Sequence, residues 1–160
     1  MFYPRAKTVI SAGAVVFDAG CERVLTIVNL ADSPSTTSFP KGRIEPGEHI
    51  EEAARRETEE ETGVVCRLWP DGFVGAQTRH YSDTDREKFV FWYAATAVDT
   101  RAQRLESHEQ LEARWLGIAE ALAQLSFEDD RGLLAACLEL RDRRRVLAAA
   151  NDDKPVFTIG

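Results

Sequence analysis

The chain has 160 residues, of which 44% are hydrophobic and 29% are charged, as is ordinary for one globular domain. Its formal net charge of −7 argues against a general nucleic-acid or membrane-surface binder, because such proteins need an excess of positive charge. No apolar run reaches the roughly 18 residues of a transmembrane helix, and the first residues show no secretory signal. We expect a cytoplasmic protein, although a secreted form that had lost its leader would have the same sequence.

The first part of the chain predicts two strands and a long loop. Apolar residues fill 8–17, and the Asp-Ala-Gly sequence at 18–20 predicts a turn before a second strand at 23–30. Residues 31–38 are polar and contain a proline, which predicts a loop that leads into Phe39-Pro40-Lys41-Gly42.

The segment 42–64, GRIEPGEHIEEAARRETEEETGV, predicts a glycine-containing turn followed by an acidic helix over 49–62. When the helix is wound at about 100° per residue, carboxylates continue or flank the apolar face that Ile50 begins. They are Glu57, Glu60 and Glu61. Acids at these spacings repel one another on a helix, so a divalent cation is the favoured compensation. The alternative is a solvated acidic helix with Glu–Arg pairs at i,i+4.

Downstream of this helix, Gly63 predicts a helix end, and strands alternate with loops before two helices. We predict strands at 64–69, 73–80, 88–98 and 113–116, loops at 82–86 and 100–110, a short helix at 118–124, and a final helix from Ser126 to about residue 147. The strand at 88–98 is apolar on both faces, which predicts a central position, and Pro70 begins a predicted turn. Residues 1–150 then form one domain, and 151–160 a flexible tail.

The spacing within 42–64 resembles the Nudix box, in which Gly, five residues, Glu and seven residues precede Arg-Glu-apolar-x-Glu-Glu-x-Gly-apolar. In this chain the specified positions are occupied by Gly42, Glu48, Arg56, Glu57, Glu60, Glu61, Gly63 and Val64. Thr58 stands at the first apolar position and is the one departure. A resemblance to the Nudix hydrolase family implies an α/β (α+β) fold over nearly the whole chain. It is the Nudix α/β/α sandwich, with a mixed β-sheet between helices.

The resemblance also implies a reaction and a set of roles. Glu57, Glu60 and Glu61 become metal ligands for Mg²⁺ or Mn²⁺, with Glu48 as an accessory carboxylate, and Arg56 holds a glutamate of the site in place. The implied reaction is hydrolysis of a phosphoanhydride, which proceeds by positioning and electrostatics without a covalent nucleophile.

A general base outside the box is implied by the segment before the strand at 113–116. Glu109 resembles the additional catalytic glutamate that several Nudix enzymes carry in this loop, and Glu106 or Glu112 are the alternatives.

The sequence does not determine which substrate is hydrolysed. The chain resembles diadenosine polyphosphate hydrolases at Pro40-Lys41-Gly42 and over residues 107–121. The same subgroup includes enzymes that hydrolyse diphosphoinositol polyphosphates. The candidate substrate-binding residues are Arg5, Lys7, Lys41, Gly42, Arg43, Arg79, His80 and Lys88. Scattered surface charge is the simpler interpretation of these cations, and a base-stacking role for Phe91 or Tyr93 competes with a place in the core.

Three further alternatives concern activity and assembly. A pyrophosphatase of oxidised nucleoside triphosphates or of ADP-ribose would share the same box. An inactive Nudix-fold binding module would be expected to have lost one of the box glutamates, which are all present here. Because few residues precede the first predicted strand, the N-terminal extension of dimeric ADP-ribose hydrolases is not expected, and we predict a monomer that takes a small-molecule polyphosphate.

Overall fold

Seven strands and three helices form within residues 7–80, 86–99 and 110–152, the ranges that the computed structural model describes. In chain order they are β1 (Lys7–Phe17), β2 (Arg23–Asn29), β3 (Thr36–Ser38), β4 (Lys41–Arg43), α1 (Ile50–Thr62), β5 (Cys66–His80), β6 (Arg86–Ala97), β7 (Leu111–Gly117), α2 (Ile118–Gln124) and α3 (Glu128–Asp152). Most of these elements lie within a few residues of a predicted one.

The strands form one mixed sheet, as predicted. Its path is β3-β2-β1-β6-β5, with β4 paired to β1 and β7 paired to β2. Strand β6 runs parallel to β1 and antiparallel to β5, so it has a partner on each side. The central position predicted for this strand from its two apolar faces is therefore confirmed.

The helices cover opposite faces of the sheet. On one face Ala53 and Ala54 of α1 pack in a cluster with Tyr93 of β6. On the other face the neighbouring residue Trp92 packs in a cluster with Leu134 of α3, because successive side chains of a strand point to opposite sides. This is the predicted α/β/α sandwich. Among the described residues, no helix is long and apolar enough to cross a membrane.

Four elements differ from the predictions. The turn predicted at Gly42 is instead the short strand β4, which pairs antiparallel to β1. The predicted loop at 31–38 contains the short edge strand β3, in which the buried Thr37 pairs with Val28 of β2. The predicted turn at Pro70 is instead an irregularity inside β5, which runs unbroken from Cys66 to His80. Helix α3 continues to Asp152, past the predicted end near residue 147, because no proline or glycine stops it.

Several predictions fall where the structure gives no description. The hairpin loop at 82–86 lies almost wholly outside the described residues, and so does the loop at 100–110, apart from its last residue. The division into one domain of residues 1–150 and a tail of residues 151–160 stays a prediction.

Candidate active site

Helix α1 is built so that one side is buried and the other carries charge. The backbone N–H of His49 donates to the Glu52 carboxylate at 3.2 Å at the start of the helix, and Gly63 ends it with a left-handed φ of 74°, as predicted. Thr58, the departure from the box pattern, is fully buried. Its hydroxyl donates to the Ala54 carbonyl at 2.8 Å, so a polar side chain is accommodated at an apolar position without loss of a hydrogen bond.

Arg56 joins the glutamates of the box. Its Nε and Nη2 donate to the two oxygens of Glu48 at 2.7 and 2.9 Å. Its Nη1 donates to Glu57 at 2.9 Å and to Glu60 at 3.1 Å, and Nη2 also donates to the Arg43 carbonyl at 2.9 Å. One guanidinium thus binds three carboxylates and the end of β4. The holding role that the family resemblance implies for Arg56 stays a prediction.

This arrangement changes the acidity of Glu48. The side-chain hydrogen bonds from Arg56 hold the pKa of the Glu48 carboxyl below its ordinary value, against a smaller opposing effect of burial. The same contacts raise the pKa of Arg56, so the pair stays ionised at neutral pH.

Gly42 is required by the close approach of β4 to α1. A Cβ atom at this position would overlap the Glu57 carboxylate, so no other residue leaves that carboxylate where it is. The neighbouring Lys41 N–H donates to the Glu61 carboxylate at 3.2 Å. The bare backbone of β4 therefore lies directly against the acidic side of the helix.

A cavity of about 600 Å³ opens between β2, β3, β4 and α1. The described part of its lining includes acidic side chains, basic side chains and one aromatic ring. The acids are Asp32, Glu57 and Glu61, the cations are Lys41, Arg43 and Lys88, and the ring is Phe127. A cavity lined by both acidic and basic side chains suits an anionic ligand that binds together with a metal cation.

The structure brings many of the predicted site residues to this cavity, but not all of them. Lys41, Gly42, Arg43 and Lys88 line it together with two box glutamates. The described lining does not include Glu60, whose side chain is 58% exposed and bonded to Arg56.

Glu48 and Arg56, which are bonded to each other, are also outside this lining, and the side chains of the other predicted residues are not described. Lys7 begins β1, and Arg79 and His80 end β5, where they pair in register with Lys88 and Glu87. Arg5 and Glu109 fall outside the described residues, so their roles stay predictions.

Phe127 lines the cavity and is a candidate site residue that the sequence analysis did not identify. It precedes α3, and its carbonyl accepts the first hydrogen bonds of that helix, from Asp130 and Arg131. Ser126, the predicted first residue of this helix, instead accepts from the Thr37 N–H at 2.8 Å and donates its own N–H to the Thr37 carbonyl at 3.0 Å. The sequence carries no local signal for this position, because the contact between Ser126 and Thr37 joins residues that are far apart in the chain.

Phe91 and Tyr93, considered for base stacking, lie elsewhere. Both line a second cavity on the α1 face of the sheet, which shares no described lining residue with the first.

The donor set at the first cavity suits a hard divalent cation. Glu57 and Glu61 present carboxylate oxygens one helical turn apart, and Mg²⁺ and Mn²⁺ prefer such ligands together with waters and phosphate oxygens. Across the described ranges, no three His, Cys, Asp or Glu side chains converge closely enough to hold a metal by themselves. Arg56 donates to Glu60 as well as to Glu57, and the three-glutamate ligand set stays a prediction.

Replacing Arg56 by Met is expected to lower the free energy of unfolding at pH 7 by roughly 1–3 kcal/mol, the usual worth of hydrogen bonds to charged groups. Glu48 has a lowered folded-state pKa, so its contribution is present above the unfolded pKa of about 4.3 and is lost as the pH falls through the folded value. The difference between wild type and variant should therefore shrink in urea unfolding at pH 3. An undiminished difference at pH 3 would contradict this origin.

Comparison with known families identifies the family of this chain. A model of the NUDIX domain matches residues 7–137, which is most of the chain. The chain therefore belongs to the Nudix family, whose hydrolases generally use a divalent metal ion.

Individual relatives cover less of the chain. The asymmetrical bis(5'-nucleosyl)-tetraphosphatase of Rattus norvegicus is 34% identical over 97 residues, which are 59% of this chain and 65% of the relative. The 8-oxo-dGDP phosphatase NUDT18 of Homo sapiens is 30% identical over 107 residues, 67% of this chain and 32% of the relative. This chain therefore spans just under two thirds of the first relative and about one third of the second.

Solved structures agree with the fold. A C. elegans Ap4A hydrolase binary complex superimposes with a TM-score of 0.71 at 22% identity, covering 84% of this chain and 98% of that one. A Nudix hydrolase from Nitrosomonas europaea gives 0.66 at 21% identity, covering 81% and 88%. At these identities the likeness concerns the fold.

Proposed function

We propose that this protein hydrolyses phosphoanhydride bonds in dinucleoside polyphosphates, with diadenosine polyphosphates as the leading substrates and Mg²⁺ or Mn²⁺ as the cofactor. The observation that carries the proposal is the cavity in which two box glutamates face three cations and an aromatic ring. A polyphosphate chain needs cations, and a nucleoside offers a planar base. The likeness to a bis(5'-nucleosyl)-tetraphosphatase supports the same choice.

The side chains of the cavity have separable tasks in this reaction. Lys41, Arg43 and Lys88 would bind phosphate oxygens. Glu57 and Glu61 would hold the metal, and Glu60 would become the third ligand on leaving Arg56. A bound divalent ion would supply charge neutralisation and a more acidic attacking water. Arg56 keeps the carboxylates in place, as its hydrogen bonds to Glu48 and Glu57 indicate. Phe127, which is 43% exposed, offers a ring face to one base.

Proton removal from the attacking water needs a carboxylate near the phosphates. We assign this role to Glu109, on the family resemblance of its loop. Glu112, which accepts from the Arg114 Nε at 3.0 Å within β7, is the alternative.

Diphosphoinositol polyphosphates fit the described cavity less well. Three cations in the lining are matched by three acids, whereas a ring of phosphates and diphosphates needs a dense cationic surface. Arg5, Lys7, Arg79 and His80 would have to supply the rest. A nucleoside di- or triphosphate with an oxidised base is the second candidate, supported by the likeness to an 8-oxo-dGDP phosphatase.

A substrate panel tests the proposal. We expect phosphate-bond hydrolysis of diadenosine tetra- to hexaphosphate in the presence of Mg²⁺ or Mn²⁺ and its loss in excess EDTA, because the carboxylates lose the ion that they hold. Diphosphoinositol pentakisphosphate, ADP-ribose, 8-oxo-dGDP and 8-oxo-dGTP are the comparison substrates. Preferential turnover of any of these over the dinucleotides would refute the substrate assignment, and activity undiminished in EDTA would refute the metal.

The assembly and location belong to the same proposal. We take the protein to be a cytoplasmic monomer that binds neither nucleic acid nor membrane, as the acidic composition suggests.

A further inference from the structure

A second cavity lies on the α1 face of the sheet and has no role in the proposed reaction. Its volume is about 550 Å³, within the range of small-molecule sites. The N-terminal half of α1 forms one wall, and β5 and β6 form the other. The described lining is dominated by aromatic and apolar side chains with two charges on the helix wall: Ile50, Glu51, Arg55, Phe73, Phe91 and Tyr93 are its principal members.

Three aromatic rings meet here in an arrangement that leaves one of them open. The ring centroid of Phe73 lies 5.5 Å from that of Tyr93 and 6.4 Å from that of Phe91, with interplanar angles of 57° and 34°. Phe73 is 54% exposed, whereas Tyr93 is buried. Leaving half of a phenyl ring in water gives up hydrophobic stabilisation, which a stacked ligand would restore.

The backbone of β5 is distorted so as to place Phe73 at this point. Leu68 pairs with Ala95 and Phe73 pairs with Tyr93, so residues 69–72 stand opposite Ala94 alone. A Cβ atom at Gly72 would lie 2.7 Å from the carbonyl oxygens of Ala94 and Trp69, so the distortion depends on glycine. Bulges of this kind re-aim side chains and are frequent beside functional sites.

The charged groups of the helix wall complete the chemistry. Arg55 is an exposed guanidinium on the rim, suited to an anionic group. Burial raises the pKa of the Tyr93 hydroxyl. The negative charge of Glu51 and the hydrogen bond between the two side chains raise this pKa further. The Glu51 carboxylate has further acceptor positions for an exocyclic amine.

We infer that this second cavity is a binding site for a nucleoside monophosphate, with the base against Phe73 and the phosphate near Arg55. A flat apolar ligand would be bound by the aromatic rings alone and would not require the charged side chains. The guanidinium and the carboxylate on the same wall favour a ligand that combines a planar amine-bearing heterocycle with an anion. The inference does not rest on catalysis at the first cavity, because binding here needs no metal and no box glutamate.

AMP binding by calorimetry in EDTA tests this site, with adenosine and inorganic phosphate as comparison ligands. The Phe127→Ala background weakens base stacking in the first cavity, so the remaining heat reports the second. In that background we expect Phe73→Ala to weaken AMP binding by about 5- to 150-fold, since stacking of a base on an aromatic ring is worth about 1–3 kcal/mol. Arg55→Gln should remove most of the preference for AMP over adenosine.

Several results would overturn the inference. One is AMP binding that Phe127→Ala abolishes and Phe73→Ala leaves intact, which would place the ligand in the first cavity. Another is the absence of any binding at millimolar AMP. A third is a concentration-dependent dimer that Phe73→Ala converts to monomer, because the rings would then be covered by a second copy. Phe73→Leu, which keeps an apolar side chain without the ring, should weaken binding as Phe73→Ala does.

Discussion

Replacing Glu61 by Gln is expected to lower kcat by about 10²-fold or more, as is usual when metal-held charge is removed from a site of this kind. The substitution keeps an oxygen that can accept the hydrogen bond from the Lys41 N–H, now at 3.2 Å, so β4 should stay against α1. We therefore expect the melting temperature to change little. Steady-state hydrolysis of diadenosine tetraphosphate, with circular dichroism melting, measures both quantities. Glu60→Gln should cause a loss of similar size if Glu60 leaves Arg56 to join the ion.

Glu59→Gln is the matched control, because Glu59 is an exposed acid on the same helix and the change in charge is identical. It should keep kcat within about twofold, as expected for a surface substitution. Full activity in Glu61→Gln and in Glu60→Gln would show that these carboxylates do not hold the metal. Equal losses in Glu59→Gln and Glu61→Gln would instead indicate a general effect of helix charge.

Substituting Ala for Gly42 is expected to reduce kcat by about 10- to 10²-fold, with a small effect on stability. The added Cβ would overlap the Glu57 carboxylate, which is the free end of a flexible side chain and can swing aside. Swinging aside removes that carboxylate from its hydrogen bond with Arg56 and from the cavity, and a displacement of about 1 Å in a catalytic group can cost 10²-fold. Steady-state kinetics with thermal melting separates the two effects.

A double-mutant comparison makes the cause specific. If Gly42→Ala acts through Glu57, then adding it to Glu57→Gln should cause little further loss of kcat, because the two changes disable one group. Gly132→Ala is the control for a glycine with open space around it, and it should leave kcat unchanged. Fully additive losses in the double mutant would mean that Gly42 acts independently of Glu57.

The acidic helix and its surroundings were predictable because their signals are local. The face that carries Ala53 and Ala54, the glycine that ends the helix and the glutamates one turn apart are all encoded within 42–64. The same holds for β6, whose two apolar faces identify an interior strand without reference to its neighbours.

The shape of the cavity was not predictable, because its walls come from segments that are distant in sequence. Phe127 reaches it only because Ser126 is bonded to Thr37 across the fold, and no local pattern encodes that pairing. The bulge in β5 was read as a turn because Pro70 and Gly72 are typical of both. Only the register with β6 distinguishes the two, since the strand resumes pairing at Phe73.

The parallel pairing of β1 with β6, from Lys7 with Arg86 to Phe17 with Thr96, also bears on the order in which we expect the molecule to fold. During synthesis α1 emerges well before β6, so its buried face at first lacks Tyr93 to pack against. Pairing between the two strands must close a long loop of chain, which makes it a late and slow event. We therefore expect the cavity, with Lys88 on one wall, to form only when the sheet is nearly complete.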